Sequence, residues 1–376
     1  MQLTTTKLLE LTKAHLNWDT RRQRFTLAFI LALVAVRTVN LTEIAVHMGG
    51  IKKKAAYRKI QRFFQLFSVS DQAFLKFLLA LLPDEPLILV MDRTNWDYGK
   101  VHINFLVLGV LYQSTLIPLC WSVLPKKGNS NQIERIALFN FLLRFIPISR
   151  IKVFIADREF IGRDWLAYLK SRGVKRCIRM KKSSLVLPNV KARNLKDLFA
   201  CLKFGQSRFL RRRYKISGEW LYLAAVRLED DLLIVACDDK PRVGLKAYGL
   251  RWGSDHARRC ILWSRIETFF GNSKTRARTA RQVLSCEQEG FHFEDTHLTQ
   301  KKKLSLLMGM IALATLWVLR VGEALEVSKG VLRRKSHGRL AESLFRVGLD
   351  FLRGLIFDGL LGRRENQMVF RVMTCT

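Results

Sequence analysis

A mixed α/β core set between helical segments is the fold class this sequence predicts, and three observations predict it. Two apolar runs, "LILVM" at 87–91 and "IKVFIA" at 151–156, each lead into an aspartate, as strands buried on both faces do. Between them, "VHINFLVLGVLY" and "STLIPLCWSVL" carry a looser alternation suited to antiparallel partners of the first run. They are followed by "NQIERIALFNFLLRFI", whose apolar spacing of three and four is that of an amphipathic helix. Strands followed by a helix and a further strand define an α/β core.

The remaining elements follow in chain order. Residues 1–80 read as short helices, with the periodic stretch "FTLAFILALVAVRTVNLTEIAVHM", a break at Gly49-Gly50, the basic turn Lys52-Lys53-Lys54 and a second periodic stretch "YRKIQRFFQLF". Such a segment suits a small DNA-binding bundle or a plain helical cap over the next domain. Residues 81–174 form the first part of the core, ending in the helical "REFIGRDWLAYLKSRG". Residues 175–245 change texture to short Arg- and Lys-rich strand runs ("KRCIRMKK", "RFLRRRYKI", "EWLYLAAVRL", "DLLIVACDD"), a β-rich insertion with a basic face. Residues 246–325 turn helical again as the second part of the core, and 326–376 form a basic, helical C-terminal region.

Composition narrows the partners. The 376 residues carry 65 Lys and Arg against 31 Asp and Glu, a formal net charge of +34. Such a charge calls for a polyanion; nucleic acid comes first and an anionic membrane surface second. With a hydrophobic content of 49%, disorder is not the default expectation. The seven cysteines form no CxxC pair and no zinc spacing with histidine, which fits a reduced, cytoplasmic setting. No apolar stretch of signal-peptide type follows the first charges. The uncharged run Leu304–Leu319 falls short of the roughly 20 residues of a spanning helix and reads as a buried helix.

The chemistry lies at the strand exits. Asp92 and Asp157 each end a core strand, so two carboxylates point into one small region, where mutual repulsion makes both costly to ionise. Taken singly, each also reads as a turn-forming aspartate. A divalent cation removes the repulsion, and Mg²⁺ favours a few carboxylates plus water. A third acid is expected from a later helix, where "RIETFFGNSK" supplies Glu267, with Lys274 two turns further on the same face. Three acids on such a core can hold two metals, which suits phosphodiester cleavage, while basic faces hold the DNA.

These motifs carry a resemblance. "MDRTNWDYGK" resembles the first catalytic Asp motif of the DDE transposases of bacterial insertion sequences, in the IS-four-like branch with a Tyr-Arg-Glu-Lys signature. "LPKKGNSNQIERI" is similar to the stretch that follows it there, "ADREFIGRDW" to the second Asp motif, and "IETFFGNSK" with "GFHFEDTHLT" to the Glu region. The resemblance covers roughly residues 40–325. It implies an RNase H-like core interrupted by a β-rich insertion between the second Asp and the Glu. It also implies Asp92, Asp157 and Glu267 as catalytic residues and metal ligands for Mg²⁺, with Mn²⁺ as a substitute. Its partners would be double-stranded DNA in the form of terminal inverted repeats and target DNA. The chain would act as a homodimer in the synaptic complex, in a bacterial cytoplasm and nucleoid-associated.

Residues expected to touch DNA are Tyr248, Arg251 and Lys274 of the signature, Arg158 beside the second Asp, Lys126 and Lys127, and Arg211, Arg212 and Arg213. A structural salt bridge is the competing reading for Arg158, and a solvated charge run for Arg211–Arg213. The signature is interrupted. Tyr248 and Arg251 keep their mutual spacing, but "SDHARRCILWSR" (254–265) stands between them and Glu267, and "ARTARQVLSCEQE" (277–289) follows the Glu motif. These stretches read as surface loops, as local scrambling, or as a displaced Glu with Asp255 in its place. Two functions follow: an active transposase, or an end-binding relic that no longer cuts.

Overall fold

The computed structural model describes residues 16, 18–48, 52–113, 115–186, 193–229, 231–250, 291–332 and 342–358. Helix α1 (Thr20–Val36) begins where the Asp19 carboxylate accepts the Arg22 N–H at 2.9 Å and ends at Arg37 in the left-handed region. Asn40 caps the short α2 (Leu41–His47) in the same way, by accepting the Thr42 N–H. Helix α3 (Lys53–Leu66) buries Ala56, Ile60 and Phe64, one residue per turn, and leaves Lys53, Lys54, Arg58, Lys59 and Arg62 in solvent. Ser70 caps α4 (Asp71–Leu81), which packs against the sheet.

The core is one mixed sheet. Strands β1 (Leu87–Tyr98), β2 (Val101–Tyr112) and β3 (Thr115–Val123) form an antiparallel meander turned at Gly99, whose φ of 57° favours glycine. Pro118 cannot donate to a ladder, and β3 accordingly lies at the sheet edge. Helix α5 (Gln132–Leu143) starts in a capping box of Asn131 and Glu134 and crosses to β4 (Ile151–Ala156), which is parallel to β1. Helix α6 (Arg163–Ser171) then leads to β5 (Arg176–Arg179), parallel to β4. After a small ladder of β6 (Leu185–Val186) with β7 (Arg193–Asn194) and the one-turn α7 (Leu195–Leu198), three long strands follow. They are β8 (Ser207–Ile216), β9 (Glu219–Arg227) and β10 (Leu232–Cys237), all antiparallel to their neighbours.

The sheet order is β3-β2-β1-β4-β5-β10-β9-β8. Its first five strands are consistent with the RNase H-like core that the motifs imply. Among the described residues the stretch 175–245 builds no large sheet of its own: β5 at its start is the fifth core strand, and β8–β10 extend the core sheet to eight strands. Its far edge, β8, is blunted by exposed arginines.

Helix α8 (Pro241–Leu250) covers one face of β4, β5, β10, β9 and β8. Across the other part of the fold runs α9 (Lys301–Lys329), against which α10 (Leu344–Phe357) packs. The run that looked too short to span a bilayer is the centre of this 29-residue helix. By length and composition alone, Lys301–Ser328 could cross a membrane, yet 89% of its apolar window is buried within this structure. It touches α1, α3, α4 and β3, so its apolar surface is used as core.

Candidate active site

Strand register brings the two aspartates together. β1 and β4 run parallel, and the final pair of their ladder is Met91 with Ala156. One step on, β1 reaches Asp92 and the chain leaving β4 reaches Asp157. The sequence reading put Asp92 at the exit of its strand. In the structure β1 continues to Tyr98, because the hairpin with β2 supports it where β4 has ended. Asp92 therefore marks the exit of the parallel part of β1 only, and both aspartates are half-buried.

Alternation fixes which face they occupy. Val90, Ile155 and Cys177 line one apolar layer, together with Cys237 and the fully buried ring of Tyr248 from α8. Asp92, Asp157 and Arg179 each lie two residues beyond one of those strand positions, so they fall on that same face. The pairing of Ala156 with Ile178 sets Arg179 one step on, level with Asp157. Its Nη1 lies 3.8 Å from Asp157 Oδ1, and its Nη2 donates to Asp231 Oδ2 at 2.7 Å. Burial opposes ionisation of Asp231, but hydrogen bonds from Lys182 and the Leu232 N–H hold its carboxyl below the ordinary 3.8. The row Asp92, Asp157, Arg179 is thus a carboxylate pair with a guanidinium beside it, anchored from behind by an ionised acid.

The opposite face shows why the motif loops hold their shape. Arg93 forks onto Glu159, Nε to Oε1 at 3.1 Å and Nη2 to Oε2 at 3.3 Å. The same guanidinium donates to the side-chain carbonyls of Asn95, Asn104 and Asn129. Asn104, fully buried, donates in turn to the Lys126 and Gly128 carbonyl oxygens, both at 2.9 Å. Arg135 donates to the Ser130 carbonyl oxygen at 2.5 Å and to that of Glu159 at 3.0 Å. The segments "DRTNW", "KKGNS" and "DREFIG" are therefore one hydrogen-bonded unit, and Gly128 supplies the φ of 85° its turn needs.

The remaining expected residues are spread out. Arg158 is exposed, and its backbone N–H donates to Asp157 Oδ1 at 2.7 Å. Lys127 is exposed, whereas Lys126 is engaged with Glu134 at 2.9 Å. Arg211, Arg212 and Arg213 lie exposed on edge strand β8, Arg213 over the Tyr222 ring at 4.9 Å. Tyr248 lies in the apolar layer beneath the aspartate face rather than on the surface. Glu267, Arg251 and Lys274 lie outside the described residues, as do 254–265 and 277–289. Among the described residues no three acidic, histidine or cysteine side chains gather as a metal site.

Sequence reasoning missed Arg179, Arg93, Asn104, Arg135 and Glu159. One signal was available: Asn104 is a lone amide inside the apolar run of β2, and a buried amide must be hydrogen-bonded.

No protein-family model matches the chain, and no curated protein matches it in sequence. Among solved structures the chain is similar to a piggyBac transposase determined by cryo-EM as a synaptic complex with hairpin DNA. The TM-score is 0.42 at 10% identity, covering 99% of this chain and 82% of that one. It is also similar to an Endonuclease_V from Bacillus subtilis, at a TM-score of 0.26 and 13% identity, covering 50% of this chain and 84% of that one.

Proposed function

We propose that this chain is a DNA transposase of the DDE type, which cuts at the ends of an insertion sequence and joins the freed ends to target DNA. The observation that carries this reading is the parallel register of β1 with β4, which aligns Asp92 and Asp157 on one sheet face. Two hard oxygen donors on one face suit Mg²⁺ or Mn²⁺, and Glu267 would be the third by its motif. When bound, two such ions activate the attacking oxygen and stabilise the leaving one.

The chain's own residues do the rest. In the cutting step a water oxygen bonds to phosphorus as the P–O3′ bond breaks, leaving a 3′-hydroxyl and a 5′-phosphate. In the joining step the 3′-hydroxyl oxygen loses its proton and bonds to a target phosphorus as that phosphorus' P–O3′ bond breaks, and the released target O3′ takes a proton to become a 3′-hydroxyl. Arg179 holds Asp157 from its far side and limits repulsion between the carboxylates. Arg158 and Lys127, exposed beside the aspartate motifs, bind phosphate. Arg211–Arg213 on the sheet edge and the basic face of α3 extend the DNA contact, and the signature residues Arg251 and Lys274 are assigned to DNA by the motif resemblance. Two copies would pair the two ends of the element.

The stretches 254–265 and 277–289 favour a second reading, a relic that binds ends without cutting. Cleavage of labelled duplex with Mn²⁺ separates the two. Metal-dependent cutting at the terminal repeat supports the active enzyme. Binding without cutting, restored to cutting by deletion of both stretches, supports the relic.

A further inference from the structure

A cleft of about 470 Å³, lined by both polar and apolar side chains, separates the basic helix α3 from the start of α9, a volume in the range of small-ligand sites. Its α3 wall presents Gln61, Arg62 and Gln65, and the facing wall presents His297 and Lys303. Among the described residues no acidic side chain lines it. Gln61 and Gln65 are four residues apart and so share one face of α3. Both are exposed, and no hydrogen bond among the described residues engages their amides. His297 stacks on Tyr98 at 5.0 Å between ring centres with 19° between planes. Tyr98 ends β1, the strand that carries Asp92, six residues or on the order of 20 Å away along the strand.

We propose that this cleft holds one nucleotide unit of bound DNA, the phosphate between Arg62 and Lys303 and the base edge against the two glutamines. The chemistry matches on each side. Two cations without an acidic neighbour select an anion. Paired amides, each able to donate and accept, read a base edge. The cleft joins the exposed basic face of α3 to the strand bearing the catalytic aspartate, so one DNA strand crossing both surfaces passes through it. The inference rests on the proposed function only for the polymer bound, not for its cutting.

The test uses the full chain, a labelled random-sequence duplex and no divalent metal, so that it stands apart from any cleavage result. Arg62→Ala with Lys303→Ala should reduce the slope of log affinity against log salt by about one, since the two cations share one phosphate. Gln61→Ala with Gln65→Ala should weaken binding while leaving the slope unchanged, since neutral contacts release no counterions. A wild-type slope in a folded Arg62→Ala, Lys303→Ala variant would overturn the proposal. A benzophenone side chain at Gln65 gives a readout that needs no alanine variant: cross-linking to the duplex supports the site, and its absence overturns it.

Discussion

Asp92 and Asp157 stand level on neighbouring parallel strands, each one residue beyond the Met91–Ala156 pair and on the sheet face that α8 covers. Repulsion between two carboxylates so placed has to be answered. Arg179, 3.8 Å from Asp157, answers part of it without any ion.

Arg179→Ala removes that cation and leaves Asp157 more strongly attractive to a divalent ion. The half-saturating Mn²⁺ concentration for DNA cleavage should fall roughly 3- to 10-fold, the equivalent of about 1 kcal/mol for a partly exposed charge pair. The maximal rate should also fall, because Asp157 loses its lateral support. A purely structural role would lower the rate without moving the metal dependence.

Arg93→Ala should destabilise the fold by about 3–5 kcal/mol, since it strands the mostly buried Glu159 and takes a donor from the fully buried Asn104 carbonyl. Arg93→Lys should recover only a small part, because an ammonium cannot reproduce the fork. Urea unfolding of both variants against wild type checks this.

The crossing of α9 and α10 depends on two glycines. A methyl group at Gly348 would run into the Val318 carbonyl oxygen, and one at Gly322 into that of Leu344. Both obstacles are backbone, so neither can swing aside. Gly348→Ala should cost on the order of 1–3 kcal/mol by overpacking, seen as a lower thermal midpoint.

The strands and their exits were legible because buried parallel strands leave an uninterrupted apolar signature, as in β1 and β4. Arg179 was not legible: its role comes from a register between strands twenty-odd residues apart, and the sequence shows only one more arginine in a basic run. The fork from Arg93 to Glu159 was hidden for the same reason, although both residues sit inside the motifs. The end of β1 was misplaced because support from β2 is a pairing effect, invisible in the run itself. The stretch 175–245 showed its strands but not that they would extend the core sheet. Tyr248 was expected at the DNA, but its position in α8 places the ring in the apolar layer. Glu267 and its neighbours lie outside the described residues, so that part of the site stands on sequence alone.

His292 makes stability pH-dependent. Burial, with a smaller push from Arg37, holds its imidazole below the ordinary 6.5, and Asp295 only partly offsets this. The unfolded chain therefore binds the proton more readily than the folded one. The contribution is complete above about pH 6.5 and is lost as pH falls below it. His292→Asn, which tolerates the left-handed φ of 49° at this position, should flatten the fall in thermal midpoint between about pH 7 and pH 5.

The most direct measurement is strand cleavage of a labelled duplex carrying the repeat that flanks the gene, with Mn²⁺, for wild type, Asp92→Asn and Asp157→Asn. The account predicts cutting at the repeat boundary by wild type. It predicts at least a 100-fold loss in either variant with DNA binding kept within a few-fold, since each substitution removes a proposed metal ligand and leaves the basic faces intact. Cutting by Asp92→Asn at the wild-type rate would contradict it.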